Sequence, residues 1–395
     1  MKKLFVLLAC IGYCGLALAQ ETKDTTGYQF TTIKELKTTP VKDQARSGTC
    51  WSFATLGMVE AELLRMGKGE HILSEMFVVY NNYFEKAVKY VRLQGKGNFG
   101  PGGSADDVLH AISDYGIVPQ EAMPGLNYGE EKHVHGELDA VTTAYVNAII
   151  KNPNKKLSTA WQKGFKGILD AYLGEVPTNF IYNGKSYTPK SFAAYLGFNA
   201  DDHVSLTSYT HHPFYTKFIL EIQDNWRWDA SYNLPIDELM QVFDNAINNG
   251  YTITWASDVS EKGFTRTGIA VVPDINFVEM SNSEQARWLG LSQKERDDQL
   301  YKLDKPGYEK IITQEMRQIA YDNYETTDDH GMLIYGIAKD QRGTKYYMVK
   351  NSWGESGSYK GHWYASEAFV KYKTMSILVH KNAIPAAIKQ KLNIK

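Results

Sequence analysis

Two apolar runs near the end of the chain constrain its fold more than any other feature. Met332-Leu333-Ile334-Tyr335-Gly336-Ile337 and Tyr346-Tyr347-Met348-Val349 flank the turn sequence Asp340-Gln341-Arg342-Gly343, which predicts an antiparallel hairpin. Asp328-Asp329-His330-Gly331 precedes the first run, and the second leads into Lys350-Asn351-Ser352-Trp353-Gly354. The midpoint of positions 330 and 351 falls inside the turn, so folding about it sets His330 and Asn351 side by side. An Asn carbonyl there can accept from the imidazole and fix its tautomer and angle. Trp353, laid over that bond, would exclude water and strengthen it. Asp329 is expected to favour the charged imidazolium.

An oriented imidazole is half of a nucleophilic site, and cysteine usage points to the other half. The chain has three Cys, and Cys10 and Cys14 fall in an N-terminal stretch that does not read as fold. Met1-Lys2-Lys3 is basic, residues 4–18 are mostly apolar, and Ala17-Leu18-Ala19 is a cleavage signal. Residues 1–19 are therefore expected to be a signal peptide, removed to leave Gln20 first. The product is expected to be exported, periplasmic or secreted. Leu7-Leu8-Ala9-Cys10 also allows a lipoprotein anchored through Cys10. No other run approaches the roughly 18 apolar residues that span a bilayer. Cys50 is left as a lone thiol without a disulfide partner.

Its neighbours give that thiol a role. In Gln44-Ala45-Arg46-Ser47-Gly48-Thr49-Cys50-Trp51-Ser52-Phe53-Ala54, a Gly-containing turn leads into a stretch of helix formers that runs to Gly67. Phe53, Leu56, Leu63 and Leu64 recur at helical spacing, giving a buried face. Glu60 falls on the same side, so a paired, buried carboxylate is expected there. Cys50 thus opens a buried helix, where the partial positive charge of the terminus stabilises a thiolate. Gln44 lies on the turn leading in. Its amide could join the Cys50 backbone N–H as an oxyanion donor, worth roughly 3 kcal/mol of barrier.

Other features invite simpler readings. The charge is near balance, 43 basic against 45 acidic residues, so no nucleic-acid surface is predicted. His133-Val134-His135-Gly136-Glu137 looks faintly like a metal site but has no second ligand cluster. His211-His212-Pro213 reads as a loop or a cleft wall. His71, His110, His203, His362 and His380 have no chemical company. No metal and no cofactor are expected.

Taken together, Gln44 to Ala54, the Asp-His at His330, and Asn351-Ser352-Trp353-Gly354 resemble the papain superfamily of cysteine peptidases, in that superfamily's order along the chain. The resemblance implies an α+β fold with a helical half, a β-rich half and a cleft between them. It makes Cys50 the nucleophile, His330 the base, Asn351 its orienter and Gln44 the oxyanion donor, with Trp51, Trp353 and Asp329 in support. Cys50 and His330 stand 280 positions apart, more than the simplest such enzymes need. The text between them resembles the bleomycin hydrolase and aminopeptidase C branch: Leu73-Ser74-Glu75, Gly102-Gly103, Tyr115-Gly116-Ile117-Val118-Pro119, Asp202-His203-Val204-Ser205-Leu206 and Trp255-Ala256-Ser257-Asp258-Val259. That branch implies a cytosolic, ring-forming homo-oligomer, usually a hexamer, acting as an aminopeptidase. Its C-terminal arm lies in the cleft and meets the substrate's amino group with the terminal carboxylate. Here the signal departs from the cytosol, and residues 386–395 depart from the arm's Pro- and Ala-rich finish. Endopeptidase or dipeptide-releasing activity therefore stands as an alternative, and a non-catalytic peptide-binding protein as one of another class.

Peptides are the expected partners. Gly102-Gly103 reads as the strand that pairs with substrate backbone, because positions without side chains let an extended chain approach; the competing reading is a plain turn. One peptidase domain over 20–395 is expected, with insertions at about 120–235 and 274–325. The first is pictured as a satellite lobe over the cleft. Residues 20–39 read as a lead-in closed by Pro40, Pro235 as a helix start, and Ser283 as the cap of a helix.

Overall fold

The computed structural model describes residues 27–395; the expected signal segment, Cys10 and the first part of the lead-in lie outside the described residues. The helical half is built from α1 (Cys50–Arg65), α2 (Glu75–Arg92), α3 (Ala105–Tyr115), α4 (Gly136–Ile150), α5 (Ala160–Leu173) and α6 (Pro189–Leu196). Helix α1 is apolar nearly all round and is correspondingly buried from Trp51 to Leu63. It stops where the sequence predicts: Met66 is the C-cap, and Gly67 follows at φ +72°. Leu56 and Leu63 are fully buried, each worth about 1.5–3 kcal/mol in apolar area removed from water.

The β-rich half is one mixed sheet. Its strands are β1 (Phe30–Glu35), then, after the small β2 (Phe180–Tyr182) and β3 (Lys185–Tyr187) hairpin, β4 (His203–Thr207), β5 (Lys217–Ile219), β6 (Ala230–Asn233), β7 (Ile253–Ser257), β8 (Ile269–Ala270), β9 (His330–Asp340), β10 (Lys345–Lys350), β11 (His362–Ser366) and β12 (Thr374–His380). The order across it is β5-β6-β4-β12-β7-β9-β10-β11-β8, and β1 pairs with β9. Helix α7 (Ile236–Asn248) begins directly after Pro235, as expected, and buries Leu239, Val242 and Phe243 in the second core. Strand β9 is buried at nearly every position. Its residues next to His330 pack against α1, which joins the two halves.

Three expectations need correction. Residues 120–235 do not form a satellite lobe. Val146, Trp161, Phe165, Leu169 and Phe192 share one core with α1 and α2, and β4 to β6 extend the main sheet. The polar, aromatic text of that segment hides helices that each bury one stripe against a neighbour. In the 274–325 stretch, Ser281 rather than Ser283 caps α8 (Asn282–Leu289). Its hydroxyl accepts from Glu284 N–H while the Glu284 carboxylate returns to Ser281 N–H. Helix α9 (Gln293–Leu300) and α10 (Gln314–Asp322) follow, the latter burying Arg317 against Ser208 and Tyr372. Finally, His110 has company, its Nε2 lying 3.0 Å from Asp229.

Candidate active site

Hairpin β9–β10 carries the imidazole and its orienter, but not by symmetric folding. Lys350 pairs with Leu333, not Gly331, so Asn351 must reach along the strand to meet His330. A bulge between Met348 and Val349 shifts the register toward His330, and the offset that remains is bridged by the side chains. His330 Nε2 lies 2.7 Å from Asn351 Oδ1. Ser352 backbone N–H also donates to that oxygen, at 2.7 Å. A backbone N–H can only donate, so the atom facing both groups is the carbonyl oxygen. Nε2 must then carry the hydrogen, which leaves the lone pair on Nδ1. Trp353 stacks on His330 with ring centroids 4.7 Å apart. It is itself braced edge-on by Trp363 and Phe264.

Cys50 is the first residue of α1. The residue keeps partial solvent access, yet its sulfur sits among protein atoms, with Gly331 N–H, one residue beyond His330, acting on it to favour the thiolate. Gly331 packs so closely on α1 that a Cβ there would lie 3.2 Å from Trp51 Cα. Thiol and imidazole are thus brought to one place by a close approach of hairpin to helix. Burial pushes the thiol up to about 12, against the Gly331 and Trp51 N–H groups. Burial likewise pulls His330 down to about 4, against Asn351 and then Asp329. The expected help from the helix terminus and from Asp329 is therefore outweighed by desolvation. Each group alone favours its neutral form, and charges that form together as a thiolate–imidazolium pair offset much of that penalty. Asp329 itself is held by Val259 N–H, the Ser260 backbone and hydroxyl, and Thr327, so it fixes the segment before His330.

Gln44 meets the Asn351 segment directly. Its backbone N–H donates to Ser352 O at 2.8 Å, and Ser352 Oγ donates to Gln44 Oε1 at 2.6 Å. With the amide oxygen held, its nitrogen is left to donate to an oxyanion. Ser352 was visible in the motif but carried no signal of this role. We expect Gln44→Ala to lower kcat by about 10²–10³-fold with little change in KM, the scale of one lost oxyanion donor. A loss confined to KM would assign the amide to ground-state binding instead. Trp51 Nε1 donates to Pro101 O at 3.0 Å, which fixes the loop bearing Gly102 and Gly103 beside the nucleophile.

The remaining candidates lie elsewhere. His133 and His135 are buried near Phe53 and Tyr128, with His135 pulled down to about 4 by burial. His211 and His212 both bond Glu221, at 3.1 and 3.3 Å, and these three are the one set of close potential ligands among the described residues. Helix α12 (Ala386–Leu392) packs through Ile388 and Leu392, and Lys391 pairs with Glu238. Residues 393–395 line an opening of about 590 Å³ with Asp106, His110 and Asp229, and Cys50 is not part of its wall.

Two family models match the chain, one for each catalytic segment. The Papain family cysteine protease model covers residues 28–162, with Gln44 and Cys50, and the Peptidase C1-like family model covers residues 292–395, with His330 and Asn351. Aminopeptidase C of Lactobacillus helveticus is 22% identical over 406 residues, spanning 90% of this chain and 82% of that protein. Aminopeptidase C of Listeria monocytogenes is 24% identical over 399 residues, spanning 91% and 84%. The crystal structure of pepw from Lactobacillus rhamnosis superposes with a TM-score of 0.67 at 22% identity, covering 92% of this chain and 84% of that one. That likeness carries the fold.

Proposed function

We propose that the chain is a papain-type cysteine peptidase that removes residues from the free amino end of peptides through an acyl-enzyme at Cys50. The His330–Asn351 bond beside the head of α1 carries the reading, and the aminopeptidase relatives support the amino-end specificity. Cys50 Sγ gives up its proton to His330 Nδ1 and attacks the scissile carbonyl carbon. The oxygen becomes an oxyanion that accepts from Cys50 N–H and the Gln44 amide. His330 then protonates the departing amine, and water, deprotonated by the same imidazole, hydrolyses the thioester. Throughout, Asn351 keeps Nδ1 facing the sulfur.

Aminoacyl and peptidyl fluorogenic amides test the reading, assayed with and without a thiol-alkylating epoxide. Hydrolysis that the epoxide abolishes supports it; hydrolysis unaffected by labelling of Cys50 removes the assignment.

A pH profile gives a second test. His330 must be neutral to take the proton, and burial holds its acid form down to about 4 rather than near 6.5. The acid limb of kcat/KM should accordingly fall near pH 4, with activity retained across pH 5–6. Asn351→Ala removes an interaction that holds the imidazole's pKa up, so it should move the limb lower still. An acid limb near 6.5 would contradict the buried imidazole.

Export is proposed from residues 1–19, and N-terminal sequencing of the mature protein would find Gln20 first if cleavage occurs there. A homo-oligomer, six-membered by the resemblance, is the proposed assembly, which light scattering reads directly.

A further inference from the structure

Gly102, one of the pair expected to meet substrate backbone, is engaged and covered by the protein's own side chains. Lys86 Nζ donates to the carbonyls of Gly100, at 3.0 Å, and of Gly102. Gly103 N–H acts on the Asp224 carboxylate to lower its pKa against burial. That carboxylate lies so close over Gly102 that a Cβ there would come within 2.1 Å of Oδ1, so only glycine admits it. The Asp224 carboxylate thus fills the space over Gly102 that a substrate backbone would take.

The loop that carries Asp224 is fixed on both sides. Trp226 Nε1 and Arg227 Nε donate to the buried Asp107, at 3.0 and 2.9 Å, and Arg227 also pairs with Glu85 at 2.6 Å. Asn225 Nδ2 ties the loop to Leu220 O and Asp229 O. Asp224 is therefore part of the cleft wall.

Behind it stands Asp328, two residues before the base. Asp224 backbone N–H acts on its carboxylate, against burial. Oδ2 is sealed from solvent and has no hydrogen-bond partner among the described residues. A buried carboxylate oxygen without a donor is costly, and such an atom marks the place of a missing partner. Asp328 stands two residues before His330, and Asp224 lies against Gly102, whose neighbour Gly103 packs on Trp51, so the missing donor belongs on the nucleophile's side of the cleft. Lys86 offsets part of the Asp224 charge. Burial and then the Asp224 and Asp329 charges raise Asp328 to about 8. An arriving cation would relieve both carboxylates.

Resting on the peptidase reading, we propose that Asp224 and Asp328 receive the free α-ammonium group of the substrate and close the cleft one residue upstream of the scissile bond. The ammonium supplies the donor that Asp328 Oδ2 lacks and a charge for the pair. A longer or blocked amino end finds the space over Gly102 already filled and meets carboxylates with an uncharged amide. The amino-end specificity then comes from two side chains of this chain's own loops.

The test compares an aminoacyl fluorogenic amide with its N-acetyl twin on the full-length enzyme and on Asp224→Asn and Asp328→Asn. The wild type is expected to favour the free amine by at least a hundredfold in kcat/KM, and each variant to cut that ratio tenfold or more, mainly through the KM of the free-amine substrate. An unchanged ratio in both variants, or wild-type preference for the acetylated twin, overturns the proposal while leaving a cysteine peptidase in place. If a variant fails to fold, the wild type alone decides by competition between an amino-aldehyde and its acetylated form. Tighter binding of the free amine is expected, and equal binding overturns the proposal. Hydrolysis of neither substrate, with no epoxide labelling of Cys50, would refute the underlying peptidase reading instead.

Discussion

Cys50→Ala is expected to lower kcat roughly 10⁶-fold, the scale on which deleting a nucleophile from a hydrolase with a paired base acts. His330→Ala should lose nearly as much, because nucleophile and base act as one unit and their losses do not add. Asn351→Ala should lose far less, about 10²-fold, because it orients the ring without exchanging a proton. The graded outcome follows from position. In the proposed mechanism the sulfur at the head of α1 and Nδ1 of His330 are the atoms that react, whereas Asn351 bonds the other ring nitrogen. Steady-state kcat on one fluorogenic substrate, with near-ultraviolet circular dichroism to check that each variant folds, decides it. Wild-type turnover in Cys50→Ala would end the assignment of the nucleophile. A loss in Asn351→Ala equal to that in Cys50→Ala, with native dichroism, would mean that the amide does chemistry rather than alignment.

The catalytic elements were legible because each is written in local text. A Gly turn before Cys50, an apolar stretch to Gly67 and two strand-like runs about residues 340–343 specify a helix head and a hairpin without long-range information. Glu60 was legible as a buried charge from its place on the apolar face of the helix, and it is fully buried and paired with Lys42. What the text did not reveal depends on contacts between distant segments. The register offset that leaves Lys350 opposite Leu333 is already present at Lys345–Lys339 beside the turn, and the bulge between Met348 and Val349 reduces it by only one residue. The balance between helix terminus and desolvation at Cys50 depends on how closely Gly331 packs, which no local pattern encodes. Residues 120–235 misled for a similar reason. One stripe of each helix there faces a core shared with α1 and α2, and sequence alone cannot say which neighbour covers an amphipathic stripe. Asp224 and Gly102 lie more than a hundred positions apart, so their contact had no signal at all.

Beneath the site lies a charge network whose disruption should cost the most stability. Lys42 Nζ donates to Glu60 Oε1 at 2.9 Å, to Leu73 O at 3.2 Å and to Glu75. Glu60 also accepts from Leu73 N–H at 2.8 Å and from the Thr39 hydroxyl, and both carboxylates are sealed from water. Burial alone would pull the Lys42 ammonium down, yet Glu75 and Glu60 hold it above its ordinary range. Lys350 cannot take over. Burial holds it down to about 8, and its bonds go to Thr39. Lys42→Met should therefore destabilise the protein by about 3–5 kcal/mol, the cost of leaving buried charge without its partner. Adding Glu75→Gln should recover part of that loss, because the second change removes the uncompensated carboxylate. Urea unfolding of the two variants against wild type measures both terms. A loss below about 1 kcal/mol in Lys42→Met would mean that water reaches the carboxylates and the network is not sealed. The same substitution should reach the chemistry. Lys42 O accepts from Gly354 N–H at 3.1 Å and Gln44 follows two residues later, so a loosened Lys42 frees the oxyanion loop from the Asn351 segment. The variant's kcat should then fall more than its KM rises, even at temperatures where it stays folded.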